Sequence, residues 1–341
     1  MGKLLTAGVL AAALAAASAG AAGAKELLFS IIGAPKHVMN AVMFPQWTKG
    51  IEDATGGKVK LKILLKSVAP PPRLYDATTQ GVTDSAVIMN AFIQRRAPLV
   101  QISMLPFLFA DAEAHAVALW RTQRKFFDKA KTREYADVQL LGFTSGMGGQ
   151  ICSLKQPIQS LDYMRKLKLW SLPGGAAKTL SALNVAVVPG PAVRMYPIVS
   201  KGTVDGWASL PVMDAYTFNI LDVTKSCTLL EGGLGQATFS IMMNKDTWNG
   251  LTRTEQQQIM SASGEKLART SRHWQALSSK QRADFVKAGK QVVDAPPDFL
   301  AALRRAARPQ HDQWIAMANG KGIDGKAAYD YFVEQARTAH K

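Results

Sequence analysis

Cysteine occurs only twice in these 341 residues, at Cys152 and Cys227, and the five histidines are scattered. No Cys-x-x-Cys and no histidine pair at ligand spacing is present, so no metal centre is expected and no cofactor is called for. Gly-x-Ser-x-Gly is missing too: in Gly142-Phe143-Thr144-Ser145-Gly146 the serine stands one place too late. So are His-Glu-x-x-His and closely spaced carboxylate pairs. A hydrolase therefore has no visible anchor in this chain, whereas a binding role needs none. Long apolar runs are absent beyond the first 24 residues. The stretches 185–188 and 241–243 fall far short of the roughly 20 residues that cross a bilayer.

The first 24 residues are different. Lys3 precedes a Leu/Ala/Val/Gly run that ends at Ala22-Gly23-Ala24, and Lys25-Glu26 follow at once. This is the pattern of a secretory signal peptide, with cleavage expected after Ala24. Disulfides persist in exported proteins, so Cys152 and Cys227 are either one bridge or two buried thiols. The remainder is long enough for two domains with separate cores. Its formal charge stays strongly positive, because Lys3 is the one charged residue in the leader and the whole chain carries +16. Lys and Arg are spread over helices without an aromatic-interleaved basic stripe. Solvated faces account for them, and no nucleic-acid partner is expected.

What is present is an internal echo. Arg73-Leu74-Tyr75 leads to Gly81-Val82-Thr83-Asp84, and Arg194-Met195-Tyr196 leads at the same spacing to Gly202-Thr203-Val204-Asp205. Each copy reads as a short helix ending at a glycine able to take positive φ, then an aspartate before an apolar strand. Two copies in one chain predict two similar lobes, and a cleft between lobes is where ligands bind.

Around the echoes the pattern is β-α-β. Strands are expected at 26–32, 58–65 and 85–89, with helices at 35–50 and over the first echo. A second set follows at 150–154, 167–170 and 185–188, with a helix at 174–183 and a strand at 204. Helix 112–131 and strand 138–143 close the first set. The run 255–286 has helical spacing and is expected to form a long helix able to cross between lobes, and 297–341 adds further helices. The fold class is α/β, with mostly parallel sheets flanked by helices.

Several pieces occur in a telling order: the helix and Thr-Gly-Gly turn of 44–57, the first echo at 75–84, and Leu105-Pro106-Phe107-Leu108-Phe109. Pro157-Ile158 with 162–169 and the second echo at 196–206 complete the series. In this order they resemble the extracytoplasmic solute receptors of tripartite ATP-independent periplasmic (TRAP) transporters, of the dicarboxylate-receptor type. The resemblance covers essentially the whole chain beyond the leader. It implies a two-lobed periplasmic binding-protein fold, with 25–147 and 236–276 in lobe I and 148–235 and 277–341 in lobe II, joined by hinge strands and a long helix. It also implies a monomer that closes around a small organic solute and delivers it to membrane permease subunits. A receptor feeding a sensor protein would use the same lobes and is the alternative, with a secreted hydrolase a more distant one.

In that family an arginine at the end of a strand grips the solute's carboxylate, a planar anion that a guanidinium fork fits well. Here Leu167-Lys168-Leu169 is followed by Trp170. A second arginine of some relatives falls on Gln150, and the family's asparagine falls near Ser209, beside Trp207. The resemblance therefore gives Trp170, Gln150, Trp207 and Ser209 as ligand-binding positions, with Met147, Asn90 and His37 at matching cleft positions. An aromatic or hydrophobic solute is expected, with any carboxylate gripped from elsewhere, by Arg194 first or by Arg73, Arg95 or Arg96. A cation held on an indole face is the other option. Trp170 packed in the core is the reading that competes with all of these.

Overall fold

The computed structural model describes residues 24–108, 111–131 and 133–339. The expected leader, apart from Ala24, lies outside them, as does Phe109. Eleven strands occur among the described residues: β1 (Lys25–Ser30), β2 (Val59–Ile63), β3 (Ser85–Met89), β4 (Val138–Gly148), β5 (Gln150–Ser153), β6 (Lys168–Ser171), β7 (Ala186–Pro189), β8 (Gly206–Leu210), β9 (Ser226–Leu229), β10 (Gln236–Asn244) and β11 (Gln291–Asp294). They form two sheets, ordered β2-β1-β3-β10-β4 and β11-β9-β5-β8-β6-β7. Without β11 the second order, reversed, is β7-β6-β8-β5-β9, the same pattern as the first. The helices flank both sheets, as the α/β pattern requires.

Five of the nine strand pairings among the described residues are parallel, and each sheet also holds one antiparallel strand. β1 pairs in parallel with β2 and β3, β6 with β7 and β8, and β9 with β11, whereas β10 and β5 run antiparallel to both neighbours. The reason is connectivity. The chain passes from the first sheet to the second through β4 and β5 and returns through β9 and β10, so each sheet receives one strand arriving from the other lobe. At the crossing the two segments touch. Gly149 N–H donates to Gly235 O (2.7 Å) and Leu234 N–H donates to Gly149 O (2.8 Å). A Cβ on Gly149 would stand 2.4 Å from the carbonyl carbon of Ser209, so no other residue fits there.

The echoes are the same local structure built twice. Each opens with a three-residue 3₁₀ turn, Pro71–Arg73 or Ala192–Arg194, and passes into a six-residue helix, Leu74–Thr79 or Met195–Ser200. Arg73 and Arg194 share φ −103°, and Gly81 and Gly202 take φ of 73° and 65°. The helix ends are closed by matching bonds, Val82 N–H to Ala77 O (2.9 Å) and Thr203 N–H to Ile198 O (3.1 Å). Asp84 then accepts from Leu28 N–H (2.8 Å) and Asp205 from Lys168 N–H (2.9 Å), so each aspartate ties its turn to the neighbouring strand.

One row of side chains crosses the second sheet. Val188, Trp170, Trp207, Cys152, Cys227 and Val292 are successive register partners on β7, β6, β8, β5, β9 and β11. The four central members are fully buried, and Cys152 and Cys227 form a disulfide between adjacent strands.

The expected long helix 255–286 is three helices, Arg253–Ala262, Glu265–Arg269 and Arg272–Lys287. It is interrupted where Gly264 N–H leaves the helical ladder to donate to Leu141 O of β4 (2.8 Å). The longest helix is Pro297–Gly320, which touches both lobes. In it Trp314 Nε1–H donates to Leu99 O (3.0 Å) in the first lobe, and Gln310 Nε2–H donates to Thr179 Oγ1 (2.8 Å) in the second. The C-terminal segment also divides. β11 joins the second sheet, but the Gly325–Thr338 helix covers the Ala112–Lys125 helix of the first lobe, with Arg121 donating to Gln335 Oε1 (2.7 Å). The apolar face around Ala118 and Leu119 is what that last helix buries, through Phe332 and Ala336.

The disulfide joins residues 75 positions apart, for which loop entropy gives about 4 kcal/mol. Replacing both cysteines with alanine is expected to lower the unfolding free energy by about 2–5 kcal/mol in urea titrations. Full stability in the double variant would refute this.

Candidate functional site

A cavity of about 300 Å³ lies in the cleft between the lobes. Its walls come from the ends of the parallel strands and the loops that follow them. Ile32, Gly33, Ala34 and His37 follow β1, Met89 and Phe92 lie at the end of β3, and Leu172 follows β6. The second echo contributes Val193 and Tyr196, and the segment after β8 contributes Asp214, Thr217, Phe218 and Asn219. Phe239, on the returning strand β10, and Trp274, on the Arg272–Lys287 helix, complete it. In open α/β sheets the carboxyl ends of the strands leave such a crevice, because loops splay apart there while the strands stay paired.

The lining is largely aromatic and aliphatic, and no lysine or arginine among the described residues is part of it. Burial shifts the pKa of two of its groups, His37 and Asp214. His37 stands edge-on to Trp274, ring centroids 4.8 Å apart, and burial lowers its pKa to about 4, so its imidazole is neutral at pH 7. Asp214 is 3 % exposed. Burial pushes its carboxyl up to about 7, against the opposing hydrogen bond of the Thr217 side chain. Its Oδ1 has no hydrogen-bond partner among the described residues, and neither has the indole nitrogen of Trp274.

Of the residues that sequence reasoning put at the site, His37 lines this cavity and the others do not. Trp170 and Trp207 belong to the buried row of the second sheet. Trp207 donates to Thr224 Oγ1 (3.1 Å), and Trp170 packs behind Gly190, where an added Cβ would lie 3.4 Å from its indole nitrogen. A strand residue's partners across the sheet decide which face it occupies, and here Trp170 faces the core. Gln150 is committed to the lobe crossing, where its Nε2–H donates to Gly148 O (2.9 Å) and its Oε1 accepts from Leu230 N–H (2.5 Å). Ser209 has φ 70° and accepts from Leu172 N–H (2.9 Å). Asn90 is fully buried, donating to Thr238 Oγ1 (2.9 Å) and accepting from Ser240 (2.6 Å). Met147 packs half-buried against the main core.

Arg73 and Arg194 are exposed and outside the lining, although Pro71 and Val193 beside them are part of it. Sequence reasoning missed Asp214 and Trp274. Asp214 carried a signal, an acid within the apolar run Val212-Met213-Asp214-Ala215, whereas Trp274 lay in a helical run with nothing to set it apart.

Two outcomes follow. Trp170→Ala is expected to cost about 3–5 kcal/mol of unfolding free energy, as for a large core side chain, with near wild-type stability in urea counting against the core placement. For Asp214 the folded pKa lies above the ordinary carboxylate value, so between pH 4 and 7 the folded state binds more protons and stability falls as pH rises. Asp214→Asn is therefore expected to stabilise the solute-free protein at pH 8 by on the order of 2–4 kcal/mol, with the gain shrinking toward pH 4, as read by denaturation at both pH values.

Comparison with known proteins places the chain. Residues 29–317 match the model of DctP, bacterial extracellular solute-binding protein, family 7. An outer membrane transporter protein, TsaT, of Comamonas testosteroni is 30 % identical over 334 residues, covering 98 % of this chain and 97 % of its own. A TRAP periplasmic solute-binding protein from Bordetella bronchiseptica, solved with bound (R)- and (S)-mandelate, superposes with a TM-score of 0.87 at 27 % identity, over 92 % of this chain and 99 % of its own. A TRAP solute-binding protein from Rhodoferax ferrireducens, with copurified benzoate, shares the fold at 22 % identity and a TM-score of 0.81, over 92 % of this chain and 97 % of its own. These matches span both lobes and both crossings between them. The chain belongs to the bacterial extracellular solute-binding protein family 7 and is a solute receptor of the TRAP transporter type.

Proposed function

We propose that this receptor takes aromatic carboxylic acids in the periplasm, after removal of residues 1–24, and acts as a monomer delivering them to the permease subunits of a TRAP transporter. The observation that carries the solute class is the lining of the cleft cavity. Phe92, Phe218, Phe239, Tyr196 and Trp274 bring aromatic rings from both lobes around about 300 Å³, which suits one flat, apolar solute body. The Bordetella bronchiseptica relative holds mandelate, an aromatic acid, and its likeness to this chain supports the same class here.

A small dicarboxylate fits the site poorly. Two carboxylates would be desolvated with no lysine or arginine in the lining to pair them, and unpaired buried charge costs several kcal/mol. An aromatic acid brings one charge and a ring whose burial offsets part of that cost. Its carboxylate has neutral polar side chains to meet in the lining, Tyr196, Thr217 and Asn219. A solute held by groups of both lobes favours the closed arrangement by its differential affinity for it.

Mandelate or benzoate is expected to raise the thermal unfolding midpoint of the purified protein, while succinate and malate leave it nearly unchanged, as read by scanning fluorimetry. The reverse order would overturn the aromatic assignment.

A further inference from the structure

No lysine or arginine among the described residues lines the cleft cavity, yet several border its walls. Gly33, Ala34, Val193, Tyr196 and Asn219 belong to the lining and are exposed, so the cavity meets solvent along the edge they form. Four positive side chains stand within two residues of the lining: Lys36 next to His37, Arg73 two places after Pro71, Arg194 next to Val193 and Arg272 two places before Trp274. All four are exposed, and none has a salt bridge or a side-chain hydrogen bond among the described residues. The single acid within the same span is Asp214, which is buried. The echoes supply two of the four cations, one from each lobe, at the residue where the 3₁₀ turn passes into the helix.

We propose that these four cations, Lys36, Arg73, Arg194 and Arg272, steer the anionic solute into the cleft: they raise the rate at which an aromatic carboxylate enters, without being its partners once it is bound. This rests on the aromatic-acid reading above and adds to it how the acid is collected.

A charge acts on an approaching anion without touching it. Successive Cα atoms are about 3.8 Å apart, so each of these charges lies on the order of 10 Å from the cavity. That is well inside the Debye length of about 30 Å at 0.01 M salt and comparable with the roughly 8 Å at 0.15 M. With no carboxylate paired to them, their fields add along the approach, and low-dielectric walls focus such a field into a cleft. Inside, the solute meets neutral polar groups, and solvated side chains at this range contribute little to holding it. Rim charges in general set association rate and salt dependence, while buried contacts set dissociation. The formal charge of +16 draws anions to the molecule at large. The four cations beside the cavity walls direct them to one place.

Stopped-flow association of mandelate and benzoate with the purified receptor, followed by tryptophan fluorescence at about 0.01 M and about 0.3 M salt, tests the proposal. Association by the wild type is expected to slow about fivefold between these salt concentrations. The variant Lys36→Gln/Arg73→Gln/Arg194→Gln/Arg272→Gln is expected to associate about fivefold more slowly at low salt, with a flattened salt dependence and a dissociation rate within about twofold of wild type. Exchanging lysine for arginine and arginine for lysine at the same four positions keeps the charges and is expected to keep the rate. As a control for net charge, Lys58→Gln/Lys168→Gln/Lys245→Gln/Arg253→Gln removes four cations from the far ends of the sheets, where β2 and β6 begin, β10 ends, and Arg253 lies near the Lys25–Glu255 pair at the start of β1. Its association is expected to stay within about twofold of wild type. Association at the wild-type rate by the first variant, equal slowing in the distant variant, or a loss confined to dissociation overturns the steering while leaving the aromatic-acid reading standing. Failure of both acids to bind the wild type overturns both.

Discussion

Everything in this molecule hangs on a crossing of two backbones. β4 runs into β5 and β9 runs into β10 at one point, close enough for Gly149 to exchange hydrogen bonds with Leu234 and Gly235, and a side chain at Gly149 would collide with Ser209. Two sheets that share two through-going strands cannot drift apart, yet they remain separate cores. The antiparallel members of each sheet, the φ of Ser209 and the double hydrogen bond of Gln150 are consequences of fitting this crossing. The cavity lies beside it because β10, on leaving the crossing, carries Phe239 into the cleft.

On this frame the two lobes are variations of one unit. The echo helices, their positive-φ glycines and the aspartates that hold the adjacent strand are the same local solution used twice, so the sheet orders match once β11 is set aside. What differs is what each copy presents. Pro71 of the first copy reaches the cavity wall, whereas Val193 and Tyr196 of the second copy line it more extensively. The arginines that open both echoes stay exposed, in keeping with a turn position whose side chain points away from packing.

The site itself is sparing with polarity. A neutral His37, Tyr196, Thr217, Asn219 and the buried Asp214 stand among aromatic and aliphatic walls, with no lysine or arginine lining them among the described residues. A cavity of this kind distinguishes solutes by which polar groups they leave unsatisfied as much as by shape.

The α/β class and the two lobes could be read from the chain, because they rest on local rules: helix and strand periods and glycine conformation. The family could be read from the order of weak motifs. The site was far less legible. Trp170 looked like a ligand contact because it stands where relatives carry an arginine, but its row across the second sheet turns it into the core. The helix at 255–286 was legible as helical, yet its break at Gly264 answers to Leu141 of a distant strand. Sequence by itself determined which segments form strands, turns and helices, and that they repeat. Only the tertiary structure decided which side chains meet in the cleft, because that depends on cross-sheet register and on contacts between residues as far apart as His37 and Trp274, which no local pattern encodes.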